Sequence, residues 1–177
     1  MAELPSSDSK HPARLAAWRS MDASLRSDWT LLFVGDGPLR GEIETAARAA
    51  EPGEIACAGA IPSSEMADFY AGADLLVFPS LGDPWGLVVN EALACGVPAL
   101  CSRLAGCADD LIRPGENGWL FDPTDAGDFS RTLTCALTAK DLEEMGARGR
   151  HTAKRFVPEE MANGLRRAVT HATGLSA

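Results

Sequence analysis

The sequence predicts an α/β fold, a doubly wound parallel sheet covered by helices on both faces. Three observations predict it. Short apolar runs alternate along the chain with segments of helical periodicity, in the order helix, strand, helix, strand. The runs are apolar at consecutive positions, as in parallel strands buried on both faces. Several run into Gly- or Pro-rich turns, namely Gly35-Asp36-Gly37, Ala60-Ile61-Pro62, Ser80 to Gly86 and Ser102 to Gly106. Ligands of such sheets sit beyond the carboxyl ends of the strands, so these turns are expected to converge on one cleft. A chain of 177 residues suffices for one domain with a core of its own.

The elements follow in order. Residues 1–12 read as a polar arm, and residues 13–177 as the domain. From Ala13 to Arg26, Leu15, Ala16, Trp18, Met21 and Leu25 recur at helical spacing. Trp29 to Gly35 is a buried strand, and Pro38 suits the first turn of the helix that carries Leu39, Ile43, Ala46 and Ala47. Ile55 to Ala60 is the second strand. A helix over Glu65 to Ala71 presents Met66, Phe69 and Tyr70. Leu75 to Ser80 is the central strand. Its following helix reads Leu87, Val88, Val89, Ala92, Leu93, Ala94, Cys95, apolar on nearly every side and therefore expected to be buried. Ala99 to Ser102 and Trp119 to Phe121 complete the strands, with a helical turn at Cys107 to Ile112 between them. Asp122 to Asp125 caps a helix running to Leu137, and two helices follow, near Ala139 to Phe156 and Pro158 to Thr173.

Composition excludes several functions. The net charge of -9 argues against a general nucleic-acid or anionic-membrane surface. No apolar run approaches the length of a membrane span. The polar N-terminus does not read as a signal peptide. Five cysteines without a C-x-x-C pair read as reduced, small core residues of a cytoplasmic protein. His11, His151 and His171 have no ligand-spaced partners, so no metal site is expected. No G-x-S-x-G elbow is present.

The candidate site residues are carboxylates, glycines and two cations. Gly35-Asp36-Gly37-Pro38-Leu39-Arg40-Gly41 departs from the dinucleotide fingerprint, because Arg40 stands where the third glycine belongs and Pro38 lacks an amide. It reads as a tight turn lining the cleft, with Arg40 directed either at the cleft or at solvent. Asp83 precedes Pro84, a pattern that serves equally as a helix cap. Glu91 falls mid-helix among apolar residues, where a carboxylate needs a partner. That partner is a buried cation, a backbone amide or a ligand hydroxyl of the kind acids bind in nucleotide sites.

The segment Asp83 to Gly96 (DPWGLVVNEALACG) resembles the E-x7-E segment of the retaining family-4 (group 1) glycosyltransferases of the GT-B fold. Three further segments match in order: Leu32 to Pro38 (LFVGDGP), Tyr70 to Asp74 (YAGAD) leading into Phe78-Pro79-Ser80, and Gly115 to Phe121 (GENGWLF). The resemblance implies a Rossmann-like, C-terminal donor-binding domain. It implies that Glu91 holds the ribose hydroxyls of a UDP-, GDP- or ADP-linked sugar, that Asp83 faces the donor sugar, and that backbone amides around Gly86, Leu87 and Val88 meet the diphosphate, with Pro84 and Trp85 as further substrate-binding residues. Gly35, Gly37 and Ile61 would border the nucleotide, with Arg40 and Lys10 as nearby cations. The nucleotide sugar would be a substrate, with no cofactor or metal required. The acceptor would be a glycan, a lipid-linked sugar or a small molecule, taken up by an N-terminal acceptor domain or subunit. The full enzyme would be cytoplasmic or peripheral to a membrane.

Three features depart from the family pattern, the first being that the N-terminal acceptor domain is expected to be absent from this sequence. Asp83 is one methylene shorter than the usual Glu. The strand with a Gly-Arg pair that normally precedes the first helix has no counterpart here, although Lys10 stands near the position of the lysine that follows it. The alternatives are a non-catalytic or split-subunit nucleotide-sugar-binding module, and another GT-B enzyme such as a nucleotide-sugar epimerase.

Overall fold

The structure, a computed structural model, describes residues 11–174. Most of the expected arm, Lys10 included, lies outside the described residues. Helix α1 (His11–Ser20) and the short α2 (Ala23–Arg26) replace the single helix expected from Ala13. The break has a local cause. Asp22 accepts the Ser24 amide at 2.8 Å and so caps α2, a bond that competes with continuing α1.

The remaining elements alternate. They are β1 (Leu31–Val34), α3 (Arg40–Ala49), β2 (Ile55–Gly59), α4 (Met66–Ala71), β3 (Leu76–Phe78), α5 (Leu87–Cys95), β4 (Ala99–Ser102), α6 (Ala108–Leu111) and β5 (Gly118–Phe121). Helices α7 (Ala126–Leu137), α8 (Leu142–Ala153) and α9 (Pro158–Thr173) close the chain. The expected cap of α7 is present: the Asp125 carboxylate accepts the amides of Gly127 and Asp128. Pro158 opens α9, where its missing N–H costs nothing.

Every strand pair is parallel, as the apolar runs predict. Among the described residues the sheet is nevertheless not continuous. β1 and β2 form one ladder, and β3, β4 and β5 form another in that order. β4 is buried at all four residues, Ala99 to Ser102, as befits a strand with neighbours on both edges. One core cluster takes its fully buried strand residues from β3 and β4, with Val89, Ala92 and Leu93 of α5. A second joins Phe33 and Ile55 of the first ladder to Leu100 and Phe121 of the second, through Trp18 of α1 and Phe129 and Leu133 of α7. α9 contributes no buried residue, and it exposes Met161, Leu165 and Val169 at four-residue intervals.

Candidate functional site

The loop after β3 is knitted to the loop after β4. The Asp83 carbonyl accepts the Gly106 amide at 2.9 Å, and the Trp85 carbonyl accepts the Cys107 amide at 2.8 Å. Gly106 is required by this approach, since a Cβ there would lie 2.1 Å from the Pro84 carbonyl oxygen. The half-buried Asp83 carboxylate accepts the Trp85 amide at 2.8 Å, closing an Asx turn. It therefore does not cap α5, contrary to the structural alternative for Asp-Pro; Gly86 holds the cap position with φ 97°. Trp85 is fixed by its Nε1 donating to Asn90 at 2.7 Å and by its ring tilted against Phe156 at 5.8 Å. Pro84 is exposed at the crest of the loop.

The expectation that α5 is buried nearly all round is corrected. Val89, Ala92 and Leu93 are buried, but Leu87, Glu91 and Ala94 form an open face, with Leu87 68% exposed. These three recur at i, i+4 and i+7 and so share one side of the helix. Glu91 is thus not a buried acid in need of a cation. Its Oε2 accepts the hydroxyl of the buried Tyr70, on α4, at 2.8 Å. The other carboxylate oxygen keeps lone pairs to offer. The first amides of α5, at Leu87 and Val88, have no acceptor within their own helix. They stand at the positive end of nine aligned peptide dipoles. Beneath this turn lie two buried thiols, Cys101 and Cys107; the bond to Cys107 and then burial push the Cys101 thiol up, so it stays protonated at neutral pH. Cys135 is exposed and so departs from the expected role of the cysteines as core residues.

A second group gathers at the ends of β1 and β2. The Gly35 amide, at φ 120°, donates to the Gly59 carbonyl at 2.7 Å, and the Gly37 amide donates to Asp36 at 2.8 Å. Arg40 lies across these ends, its guanidinium within 3.6 Å of where a Cβ on Gly59 would stand. It donates to Glu44 at 2.8 Å and Asp36 at 3.3 Å. The Glu44 bond, then the charges of Asp36 and Glu44, raise its pKa and compensate its charge locally. Ile61, two residues past β2, is half-buried. The expected site residues therefore fall into two groups: Asp83 to Val88 with Glu91, and Gly35, Gly37 and Arg40. Among the described residues, no cluster of three His, Cys, Asp or Glu side chains could hold a metal ion. Tyr70 was not among the expected site residues, although it opens the YAGAD segment. Its role depends on α4 packing on α5, a tertiary contact that leaves no periodic signal.

Ligands of doubly wound α/β domains sit beyond the carboxyl ends of the strands, and there, past β3, this domain sets a carboxylate beside a helix N-terminus. Among the described residues β3, expected to be the central strand, is at the edge of its ladder, and β4 is the one flanked on both sides. The chain matches the model of the glycosyl transferases group 1 over residues 10–152. It belongs to that family. It is 30% identical over 117 residues to the sulfoquinovosyl transferase SQD2 of Arabidopsis thaliana, covering 65% of this chain and 22% of that protein. An Anabaena protein solved with UDP and glucose superposes with a TM-score of 0.72 at 17% identity, over 93% of this chain and 47% of that one. The GtfA/B complex superposes with a TM-score of 0.76 at 18% identity, over 96% of this chain and 35% of its counterpart. At these identities the structural likeness shows the fold, the Rossmann-like domain of GT-B proteins. The chain spans less than half the length of each of these proteins.

Proposed function

We propose that this chain is the donor-binding half of a retaining glycosyltransferase of family 4, transferring a hexose from a nucleoside-diphosphate sugar to an acceptor hydroxyl. The single observation that carries the reading is the α5 N-terminus. Its first two amides, at Leu87 and Val88, stand one helical turn from an exposed carboxylate that Tyr70 holds in place. Glu91 accepts from two ribose hydroxyls with its free lone pairs. The Leu87 and Val88 amides meet the diphosphate, where negative charge grows as the sugar leaves. Gly86 lets the backbone approach the phosphates closely. Asp83 faces the donor sugar, and Ile61 with Gly35 and Gly37 borders the base. Arg40, already engaged by two carboxylates, orders that border and contributes little free charge. The Anabaena protein of the same fold, solved with UDP and glucose, supports the donor class. The acceptor and the surface that excludes water from the cleft come from an N-terminal domain or a partner subunit.

Calorimetric titration of UDP, GDP and ADP tests the reading. One nucleotide is expected to bind with a Kd of about 1 mM or tighter, and Glu91→Ala is expected to weaken it at least tenfold, about 1.4 kcal/mol. Absence of binding to the wild type, or equal affinity in the variant, overturns it.

A non-catalytic nucleotide-sugar-binding module is the second reading, favoured by the Asx turn that already engages the short Asp83 side chain. It predicts the same nucleotide affinity with no sugar transfer or donor hydrolysis, even when an acceptor half is supplied.

A further inference from the structure

Glu91 stands on the open side of α5, where a long side chain is free to turn between rotamers unless something holds it. The hydroxyl of Tyr70 holds it, donating to Oε2 at 2.8 Å. Tyr70 is 2% exposed, and its ring belongs to the core cluster that contains Val89, Ala92 and Leu93. Those residues flank Glu91 along α5. The packing of α4 on α5 therefore fixes the phenol, and its oxygen reaches from the core to the open face. A hydrogen bond to an ionised carboxylate is among the stronger kinds. A tyrosine has only two torsions to freeze, so little freedom is lost in holding it still. The core itself does not ask for this hydroxyl. Phenylalanine would fill nearly the same volume and leave no polar atom to satisfy.

We propose that Tyr70 is a positioning residue that makes the site selective for ribose over deoxyribose. The inference rests on the nucleotide reading given above, in which Glu91 accepts from two ribose hydroxyls. The two oxygens of a carboxylate are spaced much like two adjacent cis hydroxyls on a five-membered ring. Both hydroxyls donate at once only when the carboxylate plane lies along the diol. The bond from Tyr70 sets that plane. Oε2 keeps a lone pair for one hydroxyl, and Oε1 offers its own to the other. A site built this way rejects the sugar that lacks a hydroxyl, because one acceptor is then left without its donor. A carboxylate that turns freely meets one hydroxyl as readily as two, so it discriminates little between the sugars.

Calorimetric titration of UDP, GDP and ADP, each beside its 2′-deoxy form, tests the proposal. The proteins are the wild type, Tyr70→Phe, Glu91→Ala and the double variant, with thermal denaturation of each. The nucleotide that binds the wild type is expected to bind about tenfold tighter than its 2′-deoxy form. Tyr70→Phe is expected to weaken the ribonucleotide about fivefold, to change the 2′-deoxy form less than about twofold, and to add nothing in the Glu91→Ala background. A purely structural role for Tyr70 would weaken both nucleotides alike, and that result overturns the proposal. So does a ribose preference that Tyr70→Phe leaves intact while Glu91→Ala weakens binding, an outcome that spares the nucleotide reading. Absence of wild-type binding, or no effect of Glu91→Ala, overturns both. Should Tyr70→Phe fail to fold, Glu91→Gln decides. Tyr70 then takes the amide oxygen, and the amide nitrogen donates where an acceptor is needed, so the ribose preference is expected to vanish. A preference retained in Glu91→Gln overturns the proposal.

Discussion

At the scale of single residues, the site depends on small side chains more than on charged ones. Gly86 holds φ 97° at the cap of α5, and a Cβ there would meet the Phe78 ring at 2.8 Å and the Cys107 sulfur at 3.3 Å. Both the left-handed backbone and the close approach penalise any other residue. Gly86→Ala is therefore expected to lower stability by about 2–4 kcal/mol, summing backbone strain and overpacking. Urea denaturation reads this directly, and a loss below about 0.5 kcal/mol, the range of a neutral surface change, would show that the turn relaxes freely. The sequence made Asp83 and Glu91 visible as carboxylates eight positions apart, but not their surroundings. Asp83 turned inward to the Trp85 amide rather than capping α5. The Glu91 partner was a phenol 21 positions upstream, in a helix whose docking no local pattern encodes.

At the scale of elements, most strands and helices were legible because each carries its own periodicity or cap. Ala99–Ser102 and Pro158–Thr173 match the expected limits, and Asp125 caps α7 as its position suggests. The α1–α2 break was missed because the Asp22 cap interrupts a continuous apolar period. α5 misled for a different reason: apolar residues all round a helix imply burial only if every side meets protein, and its Leu87, Glu91, Ala94 side faces out. This corrected geometry separates two leucines of one helix. Leu93 is fully buried and lies in the cluster with Leu76 and Phe78, whereas Leu87 is 68% exposed. Leu93→Ala is expected to cost about 2–5 kcal/mol and Leu87→Ala to stay within about 0.5 kcal/mol. Paired thermal denaturation of the two variants checks the contrast, and similar losses would place Leu87 in the core after all.

At the scale of the molecule, the split sheet divides the stability unevenly. The doubly wound class was legible in the apolar runs, but where the two ladders part, between β1 and β3, was not, since a local pattern does not set strand order. A cavity of about 460 Å³ leaves side chains of both ladders without packing partners on that side. The two ladders do not bear this equally. β3 and β4 supply both core clusters or their neighbours, while β1 and β2 reach only the cluster that borders the cavity. Opening of β1 and β2 therefore sacrifices less burial than opening of the other ladder, and is expected to be a separate, lower-energy event. Four amides at matching strand ends compare the two. Leu31 and Gly35 bond toward β2, whereas Leu76 bonds toward β4 and Arg103 donates to Phe121. Native-state hydrogen exchange is expected to show Leu31 and Gly35 exchanging faster, with a weaker urea dependence than Leu76 and Arg103. Coincident exchange of all four would mean that α1 and α7 couple the ladders into one cooperative unit despite the gap.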